Sequence, residues 1–105
     1  MAYTGEYIIL YDRLRDPDIL NRLLKRNVYM DIEITYLDVN WIYQYKLFPL
    51  NQYKSVLKLK LVEGDLEILD RYYGNMDSTE RIATVLLGKV CWVYIDNNKY
   101  TSIHT

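Results

Sequence analysis

Cysteine is nearly absent from this sequence. Cys91 stands alone, so no internal disulfide can form, and the apolar run VCWVYI around it marks a buried, inert thiol. A reduced, cytoplasmic location is the expectation. Proline and glycine are scarce and scattered, two and four residues in a chain of 105. No linker, repeat or low-complexity block is present, and a chain of this length forms one domain. Also missing are a Gly-rich phosphate loop, a serine elbow and any paired Cys/His spacing, so neither a metal nor a cofactor is expected. The single histidine, His104, lies near the C-terminal end, a poor place to build catalysis. Apolar runs are far shorter than a membrane span, and Glu6 and Asp12 bracket the first of them, so neither a secretory start nor a membrane partner is expected. A dominant charge sign is missing as well. Thirteen basic against 14 acidic residues give a net charge of −1, which supplies no bulk attraction for nucleic acid. Lys54, Lys58 and Lys60 near Tyr53 read as a solvated strand face rather than a nucleic-acid contact.

What is present is apolar bulk and tyrosine. Half of the residues are hydrophobic, enough for a sizeable core, and 12 are tyrosine. Tyrosine suits strands and pocket walls, and also binding surfaces.

Residues 6–11, EYIILY, are apolar on both faces and read as a central, doubly covered strand. Asp16-Pro17 is a helix start, with a capping carboxylate and proline at the first helical position. The helix is expected to reach about Arg26, with Ile19, Leu20, Leu23 and Leu24 as its apolar stripe. Lys25 and Arg26 then complement the helix dipole, and Asn27 ends the helix. Residues 32–37 and 41–47 read as strands joined at Asp38-Val39-Asn40, and 48–53 as a loop. In SVLKLKL, Leu57, Leu59 and Leu61 alternate with Lys58 and Lys60, the pattern of a strand with one face in water. Glu63-Gly64 turns the chain, and Asp65 is the expected cap of a helix over 66–73. Strands near 81–87 and over 89–96 follow, the last ending at Asp96-Asn97-Asn98. Five or six strands and two helices without strict alternation predict an α+β domain, a small mixed β-barrel-like sheet with two flanking helices.

The order of these segments carries a resemblance. A strand leads into Tyr11-Asp12-Arg13-Leu14-Arg15, then Asp16-Pro17 and a Leu-rich helix. Later come Asp65-Leu66-Glu67-Ile68-Leu69-Asp70-Arg71-Tyr72-Tyr73-Gly74 and Trp92-Val93-Tyr94-Ile95. Over roughly residues 6–96 this resembles the gamma-glutamylcyclotransferase-like superfamily. Its members run strand, Tyr-Gly-Ser/Thr-Leu-Arg, helix, then a leucine-acid helix ending Leu-Asp-x-Tyr-Glu-Gly, then an Ala-Trp-Val-Tyr strand. The resemblance implies a barrel-like sheet with a cavity at its mouth. It also implies release of 5-oxoproline from gamma-glutamyl compounds by attack of the substrate's own amine. The loop after the first strand would offer backbone N–H groups to substrate oxygens, and the helix-end glutamate would move the proton.

The chain departs from that pattern at both working positions. Tyr11, Leu14 and Arg15 match, but Asp12 and Arg13 replace the glycine and the small hydroxyl residue. A glycine lets the backbone approach a ligand and reach positive φ, and an aspartate adds negative charge where an anion should sit. Tyr73 stands where the glutamate should be, and a phenol is a poor base near neutrality. Ser78-Thr79-Glu80-Arg81 replaces a Tyr-x-Arg pattern. Asp70, Asp12 and Glu63 are the carboxylates that could act as a relocated acid, Asp70 being the weak catalytic candidate. Independently of the family, Leu66, Leu69 and Tyr73 share one helix face, so Tyr73 points inward with a hydroxyl that needs a partner. It is either a core tyrosine or the polar wall of a pocket.

Three functions fit. The first is a diverged, catalytically silent domain binding through Tyr11, Asp12, Arg13, Leu14 and Tyr73. Its partner would be a small molecule with a carboxylate or amide group, or a protein. The second is an active, diverged cyclotransferase with a relocated acid and Arg13 as a carboxylate clamp. The third is a small interaction protein of viral or mobile-element type. It would work through exposed tyrosines among Tyr29, Tyr36, Tyr43, Tyr45 and Tyr53, and such a patch admits a homodimer.

Overall fold

The computed structural model describes residues 2–37, 54–74, 79–86 and 88–96. The elements run β1 (Tyr3–Leu10), a 3-10 turn (Arg13–Arg15), α1 (Pro17–Leu24), β2 (Ile32–Leu37), β3 (Lys54–Val62), α2 (Asp65–Tyr73), β4 (Thr79–Leu86) and β5 (Lys89–Asp96). The domain is α+β, as the mixed pattern predicts. The expected strand over 41–47 and the loop over 48–53 lie outside the described residues.

The five strands form one mixed sheet in the order β2-β3-β1-β5-β4. β1 is central: it runs antiparallel to β3 and parallel to β5, while β2–β3 and β4–β5 are antiparallel pairs. Among the described residues the sheet is open, with β2 and β4 at its two edges, so the barrel-like closure expected from the sequence is not present there. β1 starts three residues earlier than the apolar pattern suggests. Its register with β3 shifts between Tyr3 and Tyr7, and Gly5 supplies the positive φ of 82° at that irregularity.

Strand alternation divides the core. Ile8, Leu10, Leu57, Leu59, Leu61 and Tyr94 face the helices and pack with Leu14, Leu20, Leu24, Leu69 and Tyr73. Each fully buried leucine contributes about 1.5–3 kcal/mol. Ile9, Val56, Cys91, Val93 and Ile95 form a second buried set on the opposite face, with Tyr7 and Tyr11 against it. The expectation that β3 leaves one face in water is therefore corrected. Val56 is fully buried and the Lys58 side chain is only 11 % exposed, because β3 is an inner strand of the sheet and the Lys58 ammonium lies over the Tyr7 ring of its neighbour β1.

Both helix signals work with small corrections. The Asp16 carboxylate accepts the Asp18 N–H at 2.9 Å, and Pro17 opens α1. The helix ends at Leu24 rather than Arg26. Lys25 takes the left-handed conformation (φ 55°), so it, not Asn27, is the terminator. α2 begins at Asp65, and the cap position is Gly64, with φ 91° and no side-chain bond. Asp65 does not cap the helix. Its carboxylate accepts the Val62 N–H at 3.0 Å and two bonds from Arg26 at 3.2 and 2.7 Å. Arg26, read from the sequence as a dipole partner, also donates to Asp31 at 2.8 Å and to the Lys60 carbonyl at 3.3 Å. It ties α1, β2, β3 and α2 together.

Candidate functional site

The turn after β1 and the end of α2 meet at the C-terminal end of β1. The Asp12 carboxylate does two jobs there. Its Oδ1 accepts the Leu14 N–H at 3.0 Å, which starts the 3-10 turn, and its Oδ2 accepts the Tyr73 hydroxyl at 2.7 Å. Asp12 sits at φ −101°, an ordinary extended backbone, so this turn makes no use of the freedom a glycine would give it. Leu14 is fully buried in the helix-side core. Arg13 is exposed and lines a shallow depression of about 340 Å³ with Asp12, Arg15, Asp16 and Ile19. Arg15 turns back and donates to the Ser55 carbonyl at 3.0 Å.

Tyr73 is 6 % exposed and points inward, as the spacing of Leu66, Leu69 and Tyr73 requires. Its ring stacks on Tyr94, with centroids 3.9 Å apart and planes 22° apart, and Tyr72 meets its edge at 5.1 Å. The two stacked phenols serve different carboxylates: Tyr73 donates to Asp12, and Tyr94 donates to Asp70 at 2.5 Å. Burial pushes the Tyr73 phenol far above its ordinary range, and the nearby Asp12 charge and hydrogen bond push the same way. Burial and then Asp70 do the same to Tyr94.

Asp70 also holds Arg81 of β4, at 2.8 Å from Nε and 2.9 Å from Nη2, a bidentate pair. Burial works to raise the Asp70 carboxyl, but bonds from Arg81 and Tyr94 outweigh it and hold the group below its usual range. The Arg81 guanidinium lies 4.1 Å from the Trp92 ring centre, and Trp92 Nε1 donates to Glu6 at 3.3 Å. A depression of about 330 Å³ opens over this cluster, lined by Asp70, Tyr73, Thr79, Arg81, Trp92 and Tyr94.

Of the residues singled out by sequence, Asp12 and Tyr73 touch. Tyr11 lies next to them but packs against the core on the other face of the sheet, and its hydroxyl donates to the Tyr94 carbonyl at 2.7 Å. Arg13 lines a different depression from Tyr73, and Glu63 is an exposed turn residue on neither. Sequence reasoning missed Tyr94, Arg81 and Trp92. Two signals point to Trp92 and Tyr94: their Trp-x-Tyr spacing, which places both on one strand face, and their match to the resemblance's Trp-Val-Tyr strand.

Among the described residues, no group of three or more His, Cys, Asp or Glu side chains is placed to hold a metal ion. No helix among them is long and apolar enough to cross a membrane. Comparison of the chain with family models, with curated proteins and with solved structures finds no match of any of the three kinds.

Proposed function

We propose that this chain is a gamma-glutamylcyclotransferase-like domain, its open sheet derived from that family's barrel-like one, that has given up cyclotransferase chemistry and serves as a binding module. One observation carries the reading. Two of the positions that depart from the family pattern, one in the loop and one at the helix end, bond to each other, Tyr73 to Asp12 at 2.7 Å. Where the resemblance puts an anion cradle, a carboxylate stands; where it puts a glutamate, a phenol donates a hydrogen bond to that carboxylate. Both Asp12 oxygens are engaged, the Tyr73 phenol is held protonated, and Asp70 is tied by three bonds, so no carboxylate here is a free base. Arg13, exposed beside Asp12, is the group that would meet a ligand carboxylate or amide.

The test is an assay of 5-oxoproline release from gamma-glutamyl dipeptides and gamma-glutamylamines. No release above the uncatalysed rate is expected. Turnover that disappears in Asp70→Asn would overturn the reading in favour of an active enzyme with a relocated acid.

A second reading, an interaction surface, draws on Tyr29, Met30, Ile34 and Tyr36, which are exposed on β2 and the segment before it. Tyr43, Tyr45 and Tyr53 lie outside the described residues. Sedimentation of the wild type against Ile34→Ser tests self-association through this patch: a shift to smaller species supports it, and identical monomers exclude it.

A further inference from the structure

We propose that the sheet face turned away from the helices carries a site for a compact phosphate-type anion, built by Lys58, Lys60 and Lys89 around Tyr7. The placement follows from register. Tyr7 stands opposite Lys60 and Cys91, and Ile9 opposite Lys58. Alternation puts Lys58 and Lys60 on the face away from Leu57, Leu59 and Leu61, and puts Lys89 on the same face as Cys91. The Lys58 ammonium lies 4.6 Å and the Lys89 ammonium 5.0 Å from the Tyr7 ring centre, and Lys60 lies 4.3 Å from that of Tyr3. Lys58 and Lys89 are thus closer together than a Debye length, about 10 Å at 0.1 M salt, and each raises the potential at the other. All three lysines line one depression of about 220 Å³, with Asp31 and Glu33 on its rim.

Those two carboxylates offset the site only in part: Arg26 is shared between Asp31 and Asp65, and the Lys60 charge also acts on Asp31, but three ammonium groups outnumber them. Asp31 is occupied by Arg26 at 2.8 Å and by the Tyr3 hydroxyl at 2.6 Å. Glu33 reaches Lys58 only at 3.9 Å, from a side chain that is 67 % exposed. Among the described residues, neither Lys60 nor Lys89 enters an ion pair. The surplus is positive, and at Lys58 it is largely withdrawn from water, where an opposite charge is worth most. The depression falls below the roughly 300 Å³ of an ordinary small-molecule pocket, which selects a compact ligand. Three ammonium groups offer rotatable N–H donors without a fixed fork, the way lysine holds phosphate. A phosphate or pyrophosphate group, with more than one negative charge near neutrality, matches the surplus better than a single carboxylate does.

This site shares no residue with the Asp12–Tyr73 pair, so it stands or falls apart from the proposed function. The test is a titration of the full chain with inorganic pyrophosphate at low salt, followed through amide NMR shifts of Tyr7, Lys58 and Cys91. Saturable shifts are expected. Lys89→Gln, at an exposed residue whose loss leaves the core intact, should weaken binding about tenfold. Tyr73→Phe should leave binding unchanged. Absence of saturable shifts at millimolar pyrophosphate, or equal binding by Lys89→Gln, would overturn the site. A single-stranded oligonucleotide binding more tightly than pyrophosphate would overturn the compact-anion assignment.

Discussion

Two polar clusters stabilise this domain, and they are built differently. At one end of the sheet Arg26 sits between Asp31 and Asp65, with side-chain exposures of 8 %, 8 % and 3 %. At the other end Tyr73 and Tyr94 donate hydrogen bonds from their hydroxyls to Asp12 and Asp70, and the Asp70 side chain is 44 % exposed. The first cluster is closed around a charge that has nowhere else to go. The second is partly wet: two of its donors are neutral phenols, and its cation, Arg81, is a quarter exposed. The first should therefore resist salt and tolerate no missing member, while the second should lose members at modest cost.

Arg26→Met is the hardest test of that contrast. It leaves two nearly buried carboxylates without their cation, and a loss of about 3–5 kcal/mol is expected in chemical denaturation. Replacing Asp31 and Asp65 by leucine in the same background should recover much of it. If Arg26→Met costs no more than the next substitution, the difference in burial does not matter and the comparison fails. That next substitution is Tyr73→Phe. It removes one hydroxyl and leaves one half-buried oxygen of Asp12 to water, so about 1–2 kcal/mol is expected from the same denaturation curves.

Acid sharpens the contrast further. Burial raises the Asp31 carboxyl, but bonds from Tyr3 and Arg26 prevail and hold it low. Asp31 and Asp70 both have folded values below the unfolded 3.8, so their contribution is fully present above that pH and fades as pH falls through it. Arg26→Met should shrink the Asp31 part of this acid limb, leaving what Tyr3 supplies, and leave the Asp70 part, which Arg81→Gln should shrink instead. At alkaline pH the Tyr73–Tyr94 end should weaken most, since the exposed Tyr3 hydroxyl on Asp31 is raised as well but is not buried. Tyr73 and Tyr94 hold protons that the unfolded chain releases near pH 10, so stability should decline above that point in the wild type and less in Tyr73→Phe. Stability measured across pH checks both limbs. The smallest effect belongs to the exposed pair Glu67–Arg71, at 3.4 Å one helical turn apart. Glu67→Gln should change stability by less than about 0.5 kcal/mol and serves as the surface control.

The two clusters also differ in how far they could be read from the sequence. The inward turn of Tyr73 was legible because Leu66, Leu69 and Tyr73 repeat at helical spacing. So were the Asp16-Pro17 helix start and the alternation of Leu57, Leu59 and Leu61. Periodicity reports which face a side chain takes, and nothing about what it meets there. The bond from Tyr73 to Asp12 spans 61 positions, and Arg26 to Asp65 spans 39. Both depend on the order of strands, which local pattern does not encode. Arg26 and Asp65 were misread for a related reason. A basic residue at a helix end and an acidic one at a helix start already have local explanations, and the local explanation hides the long-range partner. The lysines of β3 were read as solvated because alternation of Leu and Lys looks the same whether the polar face meets water or a neighbouring tyrosine.

The parallel pairing of β1 with β5 has a consequence for how the chain comes off the ribosome. Until residues 89–96 have emerged, the described strands that flank β1 are reduced to β3, with β2 beyond it, and the β1 edge carrying Ile8 and Ile9 lacks its described neighbour β5. Closing that edge needs contact between segments about 84 positions apart, as Ile8 to Trp92 shows, and such contacts form late. During synthesis the nascent chain thus exposes an apolar strand edge, the kind of surface that chaperones cover and that aggregates extend.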